Sequence, residues 1–447
     1  MRIAYIAAGA AGMYCGSCLH DNTLAAALLK KGHEVALIPT YTPLRTDEAN
    51  VAVNDIFYGG INVYLQEKFP LFRRTPWRFD RLLNNPTLLN WVSRFSSSTN
   101  AKDLGSLTVS VLAGEEGHQK KELEKLAQWL KESYQPEIVQ LTNSMFVGMA
   151  HELKKALGVP VLCALQGEDL FLEELIEPYK SQAKKLLRER AREIDGFIVM
   201  SQYYADFMAD YLAVPAEKIH IVKLGINLRD HGNAPEANRD KPFVVGYLAR
   251  LCPEKGLHLL VKAMQQLTEN FQPGAFKLKV AGYLSTKDQK YFVDIQKKIQ
   301  ASRLREAFEY AGEVTRTEKI NFLQSLHLLS VPTVYQEPKG LYVLEALANG
   351  VPVVQPRHGA FPELLQTTGG GILVEPNSAS ALAGGILALR NDAARRKQLG
   401  NLGKAAVHRD FSDETMAEAT LAVYRQYLKE SKQEKGRSMI AKETALA

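Results

Sequence analysis

The residues with the most telling chemical spacing are Gln336-Glu337-Pro338-Lys339-Gly340-Leu341-Tyr342-Val343-Leu344-Glu345, continuing through Ala346-Leu347-Ala348-Asn349-Gly350 to Val351-Pro352-Val353-Val354. The pattern predicts a strand ending near Pro332, a loop containing Pro338 and Gly340, and a helix from near Leu341 to Gly350. A helix N-terminus offers free amides and a partial positive charge, which together hold phosphate. Glycine at 340 lets the backbone approach such an anion closely. Glu337 lies just before this turn and Glu345 about one turn inside the helix. Two carboxylates flanking a phosphate-binding turn suit a ligand with hydroxyls on both sides of a diphosphate, such as a nucleoside diphosphate sugar. Acids in a first turn also occur simply because the helix dipole favours them.

A second group lies in Gly246-Tyr247-Leu248-Ala249-Arg250-Leu251-Cys252-Pro253-Glu254-Lys255-Gly256, after an expected strand. Arg250 and Lys255 are cations five positions apart on one loop, able to clamp a diphosphate and to stabilise charge on a leaving group. A third is the glycine loop Gly9-Ala10-Ala11-Gly12-Met13-Tyr14-Cys15-Gly16-Ser17-Cys18. It lacks the Gly-x-Gly-x-x-Gly dinucleotide pattern. The next strand ends Ile38-Pro39-Thr40, without an acid for an adenosine ribose, which counts against a nicotinamide dehydrogenase.

Short apolar runs alternate with helical patterns around these groups. Residues 3–8, 35–38, 138–141, 159–165, 197–200 and 219–222 read as strands of one parallel sheet. Residues 243–247, 278–281, 308–311, 328–331, 351–354 and 372–374 read as a second sheet. The polar stretch 227–241 between them reads as a linker. The fold class is therefore α/β, with two doubly wound domains facing across a cleft. Residues 47–131 exceed what one βα unit needs, and the charged tail 431–447 reads as flexible.

Composition fits a globular chain of 447 residues, with 46% hydrophobic and 23% charged residues. That argues against disordered, collagenous and disulfide-framework proteins. No apolar run reaches the ~18 residues of a spanning helix. The net charge of +6 is too mild to argue for nucleic acid but suits a polyanionic small molecule. Four cysteines, Cys15, Cys18, Cys163 and Cys252, fit a reducing compartment, and the expected location is the cytoplasm. The apolar start at residues 3–13 is read as a strand and glycine loop rather than a signal peptide.

Taken together, these motifs resemble family 4 of the retaining glycosyltransferases, which have the GT-B fold of two Rossmann-like domains. The Glu-x7-Glu signature is met by Glu337 and Glu345, its Gly-x-Pro-Val-Val by residues 350–354, and the Arg-x4-Lys pair by Arg250 and Lys255. Gly16 is similar to the family's glycine loop, and Gly32-His33-Glu34-Val35 to the motif after its first helix. Gly312-Glu313-Val314 looks like its turn near the base, and Phe411-Ser412 like its closing segment. The resemblance implies an acceptor-side domain at 1–226, a donor domain at 242–410, and a helix at about 411–430 returning to the first domain. It implies that Glu337 contacts sugar hydroxyls and Glu345 the ribose, while Arg250 and Lys255 neutralise the diphosphate. Backbone at Gly16, Gly340 and Leu341, with Val314 by the base, completes the donor site. Glu337, Arg250 and Lys255 are the candidate catalytic residues. The implied donor is a UDP-, GDP- or ADP-sugar and the implied partner an acceptor glycan, lipid or small molecule, with no metal or cofactor required.

The sequence departs from the family pattern at several points. Gln166-Gly167-Glu168-Asp169 stands where the family often has His-Gly-x-Asp, and Gln166 can donate a hydrogen bond to a sugar hydroxyl but cannot titrate. Lys339 replaces an aromatic, Cys15 a glycine, and Leu224-Gly225-Ile226-Asn227 the usual hinge turn. His20, Gln166 and Asp169 are candidates for the acceptor or sugar side. Residues 59–65 and 71–74 resemble a stretch of bacterial glycogen and starch synthases, a hint of glucosyl chemistry. The Cys15–Cys18 pair with His20 suits loop packing, with metal and redox readings behind it. Interleaved basic and aromatic residues at 68–81 suit packing or peripheral contact with a membrane. Alternative functions are a nucleotide-sugar-binding regulator without catalysis, supported by Gln166, and a non-hydrolysing nucleotide-sugar epimerase.

Overall fold

The computed structural model describes residues 1–9, 16–53, 57–59, 63, 65–67, 70–73, 101–232 and 242–446. The chain divides into two compact units. One comprises Met1–Met200, Tyr204–Lys223 and Glu414–Ala447, the other Ser201–Tyr203 and Leu224–Asp413.

In the first unit, seven parallel strands lie in the order β3-β2-β1-β4-β5-β6-β7. They are β1 (Arg2–Ala8), β2 (Glu34–Tyr41), β3 (Phe57–Gly59), β4 (Ile138–Leu141), β5 (Val161–Ala164), β6 (Gly196–Val199) and β7 (Ile219–Ile221). β4, β5 and β6 are buried along their whole length, which is why they read as unbroken apolar runs rather than alternating ones. Ile3, Tyr5, Leu24, Leu28 and Leu37 share one core with Met416, Leu421 and Tyr424 of the last helix.

The second unit repeats the plan with six parallel strands in the order β10-β9-β8-β11-β12-β13. They are β8 (Phe243–Leu248), β9 (Phe276–Ala281), β10 (Phe308–Gly312), β11 (Leu328–Leu329), β12 (Val353–Pro356) and β13 (Gly371–Val374). In each sheet the strand order reverses beside the first strand, between β1 and β4 and between β8 and β11. Open α/β sheets bind ligands beyond the carboxyl ends of the strands at such a reversal.

Several boundaries differ from the sequence expectations. β5 starts at Val161, after Pro160, which has no amide to give the ladder. β12 starts at Val353, because the Val351 amide is used by the Ala346 carbonyl at 3.0 Å and Pro352 follows. β11 is short; the Val331 amide turns to the Gln355 side chain instead of a neighbouring backbone. The edge strand β3 lies inside the long stretch 47–131, where no strand is expected from the sequence. The helix Asp413–Leu446 continues through the tail expected to be flexible, whose Lys, Glu, Gln and Ala residues favour helix. The expected linker starts anchored: His231 is buried against Asn349 at 2.9 Å, and the Gly232 amide reaches the same side chain at 3.0 Å. The rest of it, 233–241, lies outside the described residues. No helix among the described residues is long and apolar enough to cross a membrane.

Candidate active site

In the second unit, the chain leaving β8 turns through a short 3-10 helix at Pro253–Lys255, closed by Gly256 at φ 72°. A Cβ at 256 would lie 1.8 Å from the Pro332 carbonyl oxygen. Only glycine therefore lets this loop meet the one leaving β11. The Val334 amide completes the junction by donating to the Glu254 carbonyl at 2.9 Å. This brings Lys255 to Glu337, 82 positions later, with Nζ 2.6 Å from Oε2.

The Glu337 backbone is pinned by the Ala360 amide, which donates to its carbonyl at 2.8 Å. Its side chain is only 6% exposed. Two hydroxyls also donate to Oε2, Tyr335 at 2.7 Å and Tyr342 at 3.1 Å. Burial alone would raise this carboxyl, but Lys255 and the two hydroxyls outweigh it and hold it at about 2. Glu337 is thus ionised at neutral pH and cannot serve there as a proton donor. It can accept hydroxyl hydrogens and supply a fixed negative charge.

Gly340, at φ 72°, turns the chain into the helix Leu341–Ala348. The first-turn amides of Leu341 and Tyr342 have no carbonyl partner within their own helix. Glu345 is buried in this helix, and the Lys319 ammonium meets its Oε1 at 2.5 Å. Lys319 comes from the helix Arg316–Gln324, whose start is fixed by a Thr315–Glu318 capping box. Val314 is half-buried just before that cap, after β10. Arg250 is exposed on the β8 loop. Burial pushes the Tyr335 hydroxyl well above its usual range, Glu337 adds to this, and the Arg250 charge opposes it.

The remaining candidates lie in the first unit. Gly16 is the exposed first residue of the helix Gly16–Lys30; residues 10–15, including Cys15, lie outside the described residues. Cys18 is buried, and its thiol donates to the Ala8 carbonyl at 3.2 Å, as loop packing requires. His20 is buried beside the wholly buried Asp21, ring Nδ1 3.2 Å from Oδ1. Gln166 is buried beyond β5, and its Nε2 donates to Asp21 Oδ1 and to the Thr142 carbonyl, each at 2.8 Å. Asp169 accepts from the Tyr204 hydroxyl at 2.6 Å, and burial raises its carboxyl. Among the described residues no three His, Cys, Asp or Glu side chains cluster to hold a metal ion.

Residues 102–230 match the family model described as Glycosyltransferase Family 4, and residues 230–406 the one described as Glycosyl transferases group 1. The chain belongs to the family 4-like glycosyltransferases of the GT-B fold. It is 28% identical over 233 residues to a glycogen synthase of Mycobacterium tuberculosis, covering 52% of this chain and 54% of that one. The match thus spans about half the length of that relative. Among solved structures, sucrose-phosphate synthase from Thermosynechococcus elongatus superposes with a TM-score of 0.69 at 18% identity, over 95% and 98% of the two chains. HepE of Anabaena, in complex with UDP, gives 0.66 at 17% identity, over 95% and 100%.

In this family 4-like glycosyltransferase the sequence reading missed Tyr335, Tyr342 and Lys319. Tyr335 lies two positions before Glu337 and Tyr342 five after it, and two hydroxyl-bearing side chains so near the signature acid were a usable signal. Lys319 lies 26 positions before Glu345 on another helix, and nothing in the spacing pairs them.

Proposed function

We propose that the chain is a retaining glycosyltransferase that holds a nucleotide-diphosphate sugar at the carboxyl end of its second sheet and passes the sugar to an acceptor hydroxyl. The observation that carries this reading is the Lys255–Glu337 pair, 2.6 Å apart, at the strand-order reversal where the helix Leu341–Ala348 begins. In the proposed reaction the bond between the anomeric carbon and the β-phosphate oxygen breaks, and its electron pair leaves with the diphosphate. Lys255, Arg250 and the first-turn amides stabilise that growing charge. The acceptor oxygen bonds to the anomeric carbon from the same face, and its proton passes to a departing phosphate oxygen. Glu337 accepts sugar hydroxyls as a fixed anion, and Glu345, with Oε1 held by Lys319, meets the ribose.

Solved HepE structures hold UDP and UDP-glucose, and a starch synthase of Arabidopsis thaliana holds ADP, which supports a nucleotide donor. The glycogen synthase relative favours a glucosyl donor. Peripheral membrane contact through 68–81 rests on residues that, except 70–73, lie outside the described set. The proposed working location is the cytoplasm, where nucleotide sugars would be met.

A thermal-shift screen of UDP-glucose, GDP-mannose and ADP-glucose tests the donor reading. A ligand at 100 times its Kd adds about 2.7 kcal/mol, so one of these raises Tm by several degrees. No shift with any of the three contradicts it.

A further inference from the structure

Oε2 of Glu337 has three donors: Lys255 Nζ at 2.6 Å, the Tyr335 hydroxyl at 2.7 Å and the Tyr342 hydroxyl at 3.1 Å. A carboxylate oxygen has roughly two lone-pair sites, so one donor is surplus. Oε1 is held far more loosely, with the Lys339 and Gly340 amides at 3.4 and 3.5 Å. Lys255 also donates to the Tyr335 hydroxyl oxygen, at 2.5 Å, and is cradled by aromatic faces, its Nζ 5.0 Å from the Tyr335 ring centre and 5.3 Å from that of Tyr342. The ammonium has two competing anions to serve, the buried carboxylate now and a diphosphate once the donor binds.

Resting on the donor-site reading above, we propose that Tyr335 and Tyr342 are positioning residues that hold Glu337 when Lys255 turns to the diphosphate. The two hydroxyls then fill the lone pairs of Oε2, so the acid keeps its place and charge while Oε1 stays available to a sugar hydroxyl. Burial and Glu337 raise both hydroxyls well above the usual tyrosine range, so both remain donors at working pH. Neither tyrosine touches the diphosphate in this scheme. Their removal therefore weakens recognition of the sugar and leaves recognition of the nucleotide alone.

The test compares UDP-glucose with UDP, GDP-mannose with GDP and ADP-glucose with ADP, by calorimetric titration of the full chain. Wild type, Y335F, Y342F and the double variant are measured; phenylalanine keeps the rings under Lys255 and deletes only the hydroxyls. Hydrogen bonds to a charged group are strong enough that the double variant loses about tenfold or more in affinity for the sugar nucleotide. Affinity for the matching nucleoside diphosphate is read in Y342F, where it stays within about twofold of wild type, since the hydroxyl deleted there bonds Glu337, whereas the Tyr335 hydroxyl also accepts from Lys255. Each single variant falls between, and the singles carry the test if the double does not fold. Undiminished preference for the sugar nucleotide overturns the assignment. Equal loss for nucleotide and sugar nucleotide in Y342F also overturns it, by showing a merely structural role. Wild-type protein that binds neither member of any pair overturns the donor-site reading, and the assignment with it.

Discussion

Lys255→Ala lowers turnover at saturating donor by at least ~100-fold, the scale set by removing one preorganised electrostatic donor from an active site. Charge on the diphosphate grows as the anomeric bond breaks, so the ammonium contributes more in the transition state than in the bound ground state. The loss therefore appears in kcat as well as in KM. The variant also leaves Oε2 of the buried Glu337 with its two tyrosine donors and without the ammonium. In the wild type its carboxyl sits at about 2, below the ordinary value of about 4.3. A depressed carboxyl stabilises the fold above the ordinary value and loses that contribution as pH falls through about 2. Without Lys255 the folded-state value rises, and the acid side of the stability curve moves to higher pH. Steady-state kinetics and an acid titration of the same variant check both parts. Near-normal turnover rules out the leaving-group role.

The second large effect is on stability. Lys319→Met removes the ammonium from Glu345 Oε1 in a site where the two side chains are only 9% and 10% exposed. Removing one partner of a buried ion pair costs about 3–5 kcal/mol, while replacing both by apolar residues is often neutral. Denaturant unfolding is therefore expected to show that loss in Lys319→Met and recovery of most of it when Glu345→Leu is added. The double variant nevertheless binds nucleotide poorly, because the proposed ribose partner is gone. A single variant as stable as wild type contradicts the pairing.

The features readable in the sequence obey local rules. The alternation of apolar runs and helical patterns arises because parallel strands are buried on both faces, and it located both sheets. The Glu-x7-Glu spacing predicts a loop and a helix start, which Gly340 and Leu341 supply. The pairing of Lys255 with Glu337 spans 82 positions and depends on two loops meeting at Gly256. No periodicity carries such a contact. The same holds for Lys319 with Glu345, and for Gln166, whose amide turns inward because Asp21 and Thr142 come to it from other elements. Strand ends moved where a proline or a committed amide stopped the ladder, as at Pro160 and Val351. Cys15, read as part of the glycine loop, lies outside the described residues.

The most direct measurement is a crystal structure of the full chain with the nucleoside diphosphate selected by the thermal-shift screen. Phosphate oxygens are expected within hydrogen-bonding distance of the Lys255 ammonium and the Leu341 amide, with the ribose hydroxyls at Glu345. A nucleotide bound with its phosphates away from Lys255, and Lys255 still closed on Glu337, would contradict the proposed donor site.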